Sequence, residues 1–137
     1  MRPAFDDRFA RLDPDEFTRL VASTWRAYGW EVVESPAETP EGVGDVTAPI
    51  DSGTTLLVRA AKPRILLTVP GETRLSAATL LDVLQRVEEP SVLLIAAAAG
   101  YETGALSVAE TYRVELVEPA ALAQLRESTT GELRPSA

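Results

Sequence analysis

The chain has 137 residues and carries no cysteine and no histidine, so disulfide frameworks, thiolate or imidazole metal sites and histidine-based catalysis are excluded. Thirteen basic residues face 21 acidic ones, net −8, which argues against a general polyanion binder at ordinary salt. Lys62 is the single lysine; every other base is arginine.

In chain order, residues 1–12 read as a lead-in. Asp13-Pro14-Asp15-Glu16 is a helix start: a capping aspartate, proline at the first helical position, and a glutamate three residues after the cap. Phe17, Leu20, Val21, Trp25 and Tyr28 then recur at helical spacing, and Gly29 ends the run. Residues 30–34 read as a strand and 35–43 as a loop. Residues 45–50 and 55–61 read as two strands of a hairpin around Asp51-Ser52-Gly53-Thr54. Ile65 to Val69 is a further β-prone run, broken by Pro70-Gly71. A helix is expected over 76–88, with Leu80, Leu81, Leu84 and Val87 on one face, stopped by Pro90. Residues 91–97 form an apolar run that suits a strand buried on both faces. A helix over 103–112, a strand over 114–117 and a helix over 119–126 complete the order. Residues 127–137 are polar and read as a loose tail. The division is therefore a lead-in (1–12), one domain (13–126) and a tail (127–137). The fold class is α/β, a mixed central sheet flanked by helices.

No apolar leader or membrane-length run is visible, which points to a soluble cytoplasmic protein. Arginine in place of lysine, with surplus acid, suits a salt-loving organism; a GC-rich genome gives the same bias. Charge is uneven. From Ala27 to Val58 there are six acids and no base, whereas Arg59 to Arg86 holds five bases and two acids.

With histidine and cysteine absent, chemistry falls to carboxylates, hydroxyls, Lys62 or a hard metal such as Mg²⁺. In the expected hairpin Asp51 pairs with Thr54, so Asp45 lies opposite Ala60. Asp45, Ala60 and Lys62 then share a face, an assignment that a one-residue slip reverses. An Asp on one strand and an X-x-Lys on the next is the layout of the PD-(D/E)xK nucleases. There carboxylates hold Mg²⁺ against a phosphate and the lysine supports the attacking water or the developing charge.

Over residues 13–125 the chain resembles the Mrr-type restriction endonucleases of that superfamily. Asp13-Pro14-Asp15-Glu16-Phe17, Leu20-Val21 and Tyr28-Gly29-Trp30-Glu31-Val32 resemble the opening helix and first strand. Gly44-Asp45-Val46 is similar to the glycine-rich approach to the catalytic Asp, and Leu56 to Lys62 to the strand ending in Gln-x-Lys or Glu-x-Lys. Leu93-Leu94-Ile95-Ala96, Gly100 to Ala105, and Val114 to Leu122 are similar to the later strand–helix–strand–helix segment. The resemblance implies a restriction-endonuclease-like sheet, DNA as partner and Mg²⁺-dependent phosphodiester hydrolysis. Asp45 would be the metal ligand and Lys62 the charge-stabilising residue. It also admits a homodimer or a protein partner.

Two departures stand out. Ala60 replaces the oxygen-bearing residue of the Gln-x-Lys motif, and Thr18 replaces the acid that often follows the helix-one Phe. Glu34, Glu38 or Glu41 are candidate substitutes. Arg59, Arg64 and Arg74 are candidate DNA contacts, though each is equally a solubility charge. Trp25, Tyr28 and Trp30 are expected in the core rather than as stacking platforms. Hydrolysis is therefore expected to be weakened or lost. The alternative is a non-catalytic DNA-binding or protein-interaction module on a nuclease fold.

Overall fold

The computed structural model describes residues 9–34, 43–44, 46–50 and 52–133, with side chains described through Glu127. Four helices are present: α1 (Pro14–Ala27), α2 (Ala77–Leu84), α3 (Thr103–Tyr112) and α4 (Pro119–Leu133). Five strands form one sheet: β1 (Glu31–Val33), β2 (Thr54–Arg59), β3 (Arg64–Val69), β4 (Leu93–Ala97) and β5 (Glu115–Val117). Strand order follows chain order, with β1, β2 and β3 antiparallel and β3, β4 and β5 parallel. The fold is a mixed sheet with helices on both faces. Among the described residues, no helix is long and apolar enough to cross a membrane.

Alternation along β3 sets the two faces. Ile65, Leu67 and Val69 pack with α2 and α3, together with Leu93, Ile95 and Ala97 of β4. Leu66, with Leu56, Val58, Leu94 and Ala96, packs with α1 and α4. β4 is buried along its whole length, as its continuous apolar run implies. Fully burying each such Leu or Ile contributes roughly 1.5–3 kcal/mol.

The start of α1 follows from its sequence. The Asp13 backbone N–H donates to Glu16 Oε1 at 3.1 Å, half of a capping box, and Pro14 occupies the first turn. Gly29 adopts φ +95°, a left-handed conformation that terminates the helix. Arg26 then ties the helix to β1. Its guanidinium donates to Val32 O at 2.6 Å and to Glu34 Oε2 at 3.1 Å. Tyr28 O–H donates to Leu125 O at 3.0 Å, which joins α1 to α4.

Several expectations require correction. Residues 46–49 form a turn, not a strand. Pro49 lacks an N–H for a ladder, and Ile50 N–H closes instead on Thr47 O at 2.9 Å. Val46 and Ile50 are buried against the α2 side by this turn. The hairpin that the chain forms is β2–β3, so Ala60 lies in the connecting turn and faces no strand partner. Helix α2 ends at Leu84; a turn follows, and Val87 bridges Val43. Leu81 is 38% exposed, and Val83 takes the inward place expected of it. Pro90 opens a short 3₁₀ turn before β4. Helix α4 continues past Arg126 to Leu133, where a loose tail was expected, because extending a formed helix costs far less than nucleating one. Residues 134–137 lie outside the described residues.

Tyr101 fastens the parallel half of the sheet. It is buried, and its hydroxyl accepts from Ala97 N–H at 3.1 Å. Its one proton lies between Ile95 O at 2.8 Å and Val117 O at 2.7 Å, so the group bridges β4 and β5. Burial, with a smaller contribution from the Glu118 charge, pushes its acidity constant well above the ordinary tyrosine range. Tyr101→Phe strands a buried N–H and is expected to cost about 1–3 kcal/mol in denaturant unfolding. Because the phenolate is disfavoured only in the folded state, the stabilisation that depends on the neutral phenol is complete below the ordinary tyrosine value, about pH 10. It is lost as pH rises above that value. The substituted chain is expected to lose less stability than the parent over that alkaline window.

Candidate functional site at the two ends of the sheet

The first end is where β2 begins and β3 finishes. Thr54 of β2 and Thr68 of β3 are direct cross-strand partners there. Thr68 is 0% exposed and sits on the central strand among Leu66, Leu56 and Ala96 on the α1 side. A hydroxyl so placed must be bonded. Its Oγ1 lies 3.1 Å from Thr54 O, to which it donates, and 3.1 Å from Thr18 Oγ1 of α1. A hydroxyl has one proton. With that of Thr68 given to Thr54 O, Thr18 donates to Thr68, and the result is a directed chain Thr18–Thr68–Thr54. Thr18 is itself buried, directly after the fully buried Phe17.

Beyond Thr68 come Val69 and Pro70, which border a cleft of about 350 Å³. Pro14 at the start of α1, together with Ile50 and Ser52, lines it too. Arg74, exposed, is the one charged side chain among its described lining residues. The nearest acids of α1 serve its first turn, as Glu16 does. Among the described residues no group of three or more Asp or Glu could hold a metal ion. Threonine hydroxyls are neutral and proline has no donor oxygen in its side chain, so the described residues of this end supply no carboxylate of the kind that holds Mg²⁺.

The second end is the β2–β3 turn, which carries Lys62. Lys62 is exposed and has no ion-pair or hydrogen-bond partner among the described residues. It borders a cavity of about 420 Å³, lined also by Trp25, Trp30, Val58, Arg64, Leu94 and Glu115. Trp30 is 47% exposed and so is not the core residue expected, whereas Trp25, half-buried, packs against the α1-side core. Tyr28, 41% exposed, is likewise at the surface.

Asp45 lies outside the described residues, as do Glu38 and Glu41. The neighbours of Asp45 belong to the α2 side: Gly44 N–H donates to Arg86 O at 2.7 Å, and Val46 is in that core. The Lys62 cavity, with Trp25, Val58 and Leu94, is on the α1 side. Glu34 is held by Arg26. The three arginines do not form one patch. Arg59 pairs with its cross-strand neighbour Glu31 at 3.4 Å, and Arg64 with Glu115 at 3.8 Å, both exposed pairs of small net value. Both flank the Lys62 turn, whereas Arg74 is at the threonine end.

Sequence reasoning missed Thr54, Thr68 and Pro70. The signal was present: Pro49 demotes 45–50 as a strand, which leaves 54–59 and 64–69 as the hairpin.

No protein-family model matches the chain. No curated protein matches it either. Among solved structures it is similar to "MspJI Restriction Endonuclease in Complex with 27-mer Oligonucleotide", with a TM-score of 0.47 and 16% identity. That similarity covers 82% of this chain, which spans only 26% of the other.

The threonine chain carries a quantitative expectation. Thr68→Val keeps the shape but leaves the Thr18 hydroxyl without its acceptor, at a cost of about 1–2 kcal/mol. Replacing Thr18 and Thr68 together by Val is expected to cost less than the two single changes added, since the Thr18 hydroxyl is then not left behind without its acceptor. Denaturant unfolding of the four chains checks this; strict additivity would contradict the chain of hydroxyls.

Proposed function

We propose that the chain is a restriction-endonuclease-type scaffold, of the Mrr kind by resemblance, that associates with DNA and no longer hydrolyses it. One observation carries the reading. The layout of these nucleases pairs an Asp on one strand with X-x-Lys on the next; laid on the β2–β3 hairpin, those places hold Thr54 and Thr68-Val69-Pro70. The acid that follows the helix-one Phe in the family is Thr18, and Thr18 meets Thr68 at 3.1 Å. Thr18 and Thr68 thus meet through their hydroxyls, the main-chain carbonyl of Thr54 accepts from Thr68, and the lysine's place is Pro70. A hydrogen-bonded neutral cluster stabilises the sheet end without the charge that a metal-bound phosphate requires.

DNA as partner rests on the resemblance of residues 13–125. Because the chain carries net −8, association depends on local cations and weakens steeply with salt. A second reading, a subunit that binds a protein, is favoured by Leu81 of α2 and by Leu106 and Tyr112 of α3, each at least 38% exposed on two helices packed together.

Supercoiled plasmid incubated with Mg²⁺ or Mn²⁺, at low and high salt, is expected to stay intact. Binding of duplex DNA is expected at low salt and lost as salt rises. Nicking that Lys62→Ala abolishes would overturn the loss of catalysis and restore Asp45 and Lys62 as the site. Absence of duplex binding at low salt, with a stable protein complex in its place, would favour the second reading.

A further inference from the structure

The cavity beside Lys62 combines features that the scaffold does not need. Both tryptophans of the chain line it. Trp30 is half-exposed, although burying an indole contributes more than burying any other side chain. Val58 and Leu94 are buried and give the cavity an apolar floor. Two cations, Lys62 and Arg64, stand at its rim with one carboxylate, Glu115. Arg64 is balanced by Glu115; Lys62 is balanced by nothing among the described residues. The cavity, about 420 Å³, is of the size that takes a small ligand.

We infer that this cavity binds an unpaired nucleotide, its base against the indoles and its phosphate on Lys62. The complementarity selects this class. Indole faces take a flat ring, by stacking of a kind that contributes about 1–3 kcal/mol per base. Lys62, which has no partner among the described residues, is available to an anion, and a phosphate is a usual point-charge partner of an ammonium. A carboxylate at the rim accepts from the N–H groups at a base edge. A purely aliphatic ligand would leave Lys62 desolvated and unpaired. An alkylammonium ligand would meet two cations against one acid. The site is separate from the threonine end and does not depend on whether hydrolysis is lost.

The same chemistry is offered by a free nucleoside monophosphate and by an unpaired nucleotide within a strand. Both tryptophans line the cavity, so the intrinsic fluorescence and the two indole N–H resonances respond to its occupancy; Trp25 also borders a second cavity with Ala121 and Leu125, so the Trp30 resonance is the specific reporter. The experiment titrates the full chain with adenosine monophosphate, thymidine monophosphate, a short oligothymidylate and a blunt duplex, at low and high salt. Saturable quenching with both indole resonances shifted is expected, weakened by salt and about tenfold weaker in Lys62→Ala. Lys62 is exposed in a turn, so this variant retains the fold, which circular dichroism verifies. Trp30→Leu is expected to lose binding while the Trp25 resonance remains. Equal affinity for monophosphate and oligonucleotide assigns the site to the free nucleotide; much tighter binding of the oligonucleotide assigns it to a strand. No saturation into the millimolar range with either, or affinity unchanged in Lys62→Ala, overturns the inference. Duplex binding that leaves both indoles unperturbed, without monophosphate quenching, also overturns it while leaving the nuclease-scaffold reading intact.

Discussion

A buried hydroxyl on the central strand constrains everything around it. Thr68 lies on β3, between β2 and β4, in a position where its neighbours are leucine and alanine. An unbonded hydroxyl there would cost about 1–3 kcal/mol, so the site must supply both an acceptor and a donor. Thr54 O supplies the first and Thr18 the second, each at 3.1 Å. The Thr18 contact ties α1 to β3 at this point, and the Thr54 carbonyl ties the start of β2 to it. A register slip would put Thr68 opposite a different residue and move the apolar set of β2 to the wrong face.

The two ends of the sheet then divide the chemistry. At the threonine end the polar groups satisfy one another, and the adjoining cleft presents one arginine and no described carboxylate. The Thr18 and Thr68 hydroxyls, bonded to each other and to the Thr54 carbonyl, contribute to stability. At the turn between β2 and β3 the situation is reversed. Among the described residues Lys62 is unpaired, Trp30 is half-exposed, and the cavity that both line is left unfilled. Stability is satisfied at one end and capacity for a ligand is left at the other.

Most of the architecture was legible in the sequence because local signals agreed with the fold. The Asp13-Pro14 start and the Gly29 stop bound α1, and α3 occupies 103–112 as its pattern implies. The apolar runs of β3 and β4 are the strands buried on both faces. The site was less legible, for a physical reason. Its layout is a statement about register, and register depends on which two runs pair. Residues 45–50 resemble a strand in composition, yet Pro49 and the Thr47–Ile50 turn take 46–50 out of the sheet. The hairpin therefore moved one run along the chain, from 45–50 with 55–61 to 54–59 with 64–69. Thr18 could be named from sequence as the residue in an acid's place, but not its meeting with Thr68. Lys62 stood out by its uniqueness; Ala60, expected opposite Asp45 in a hairpin, lies in the β2–β3 turn, and Asp45 is outside the described residues. The exposure of Trp30 could not be read from a helix-end motif that equally suits a core.

Divalent-metal binding tests the central claim most directly, since it asks about the site without requiring turnover or a target sequence. Calorimetric titration of the full chain with Mn²⁺, with Mg²⁺ as competitor, is expected to show no stoichiometric site, and Thr54→Asp is expected to strengthen whatever weak binding there is. A single saturable site in the parent chain, displaced by Mg²⁺ and lost in Asp45→Asn, would contradict the account.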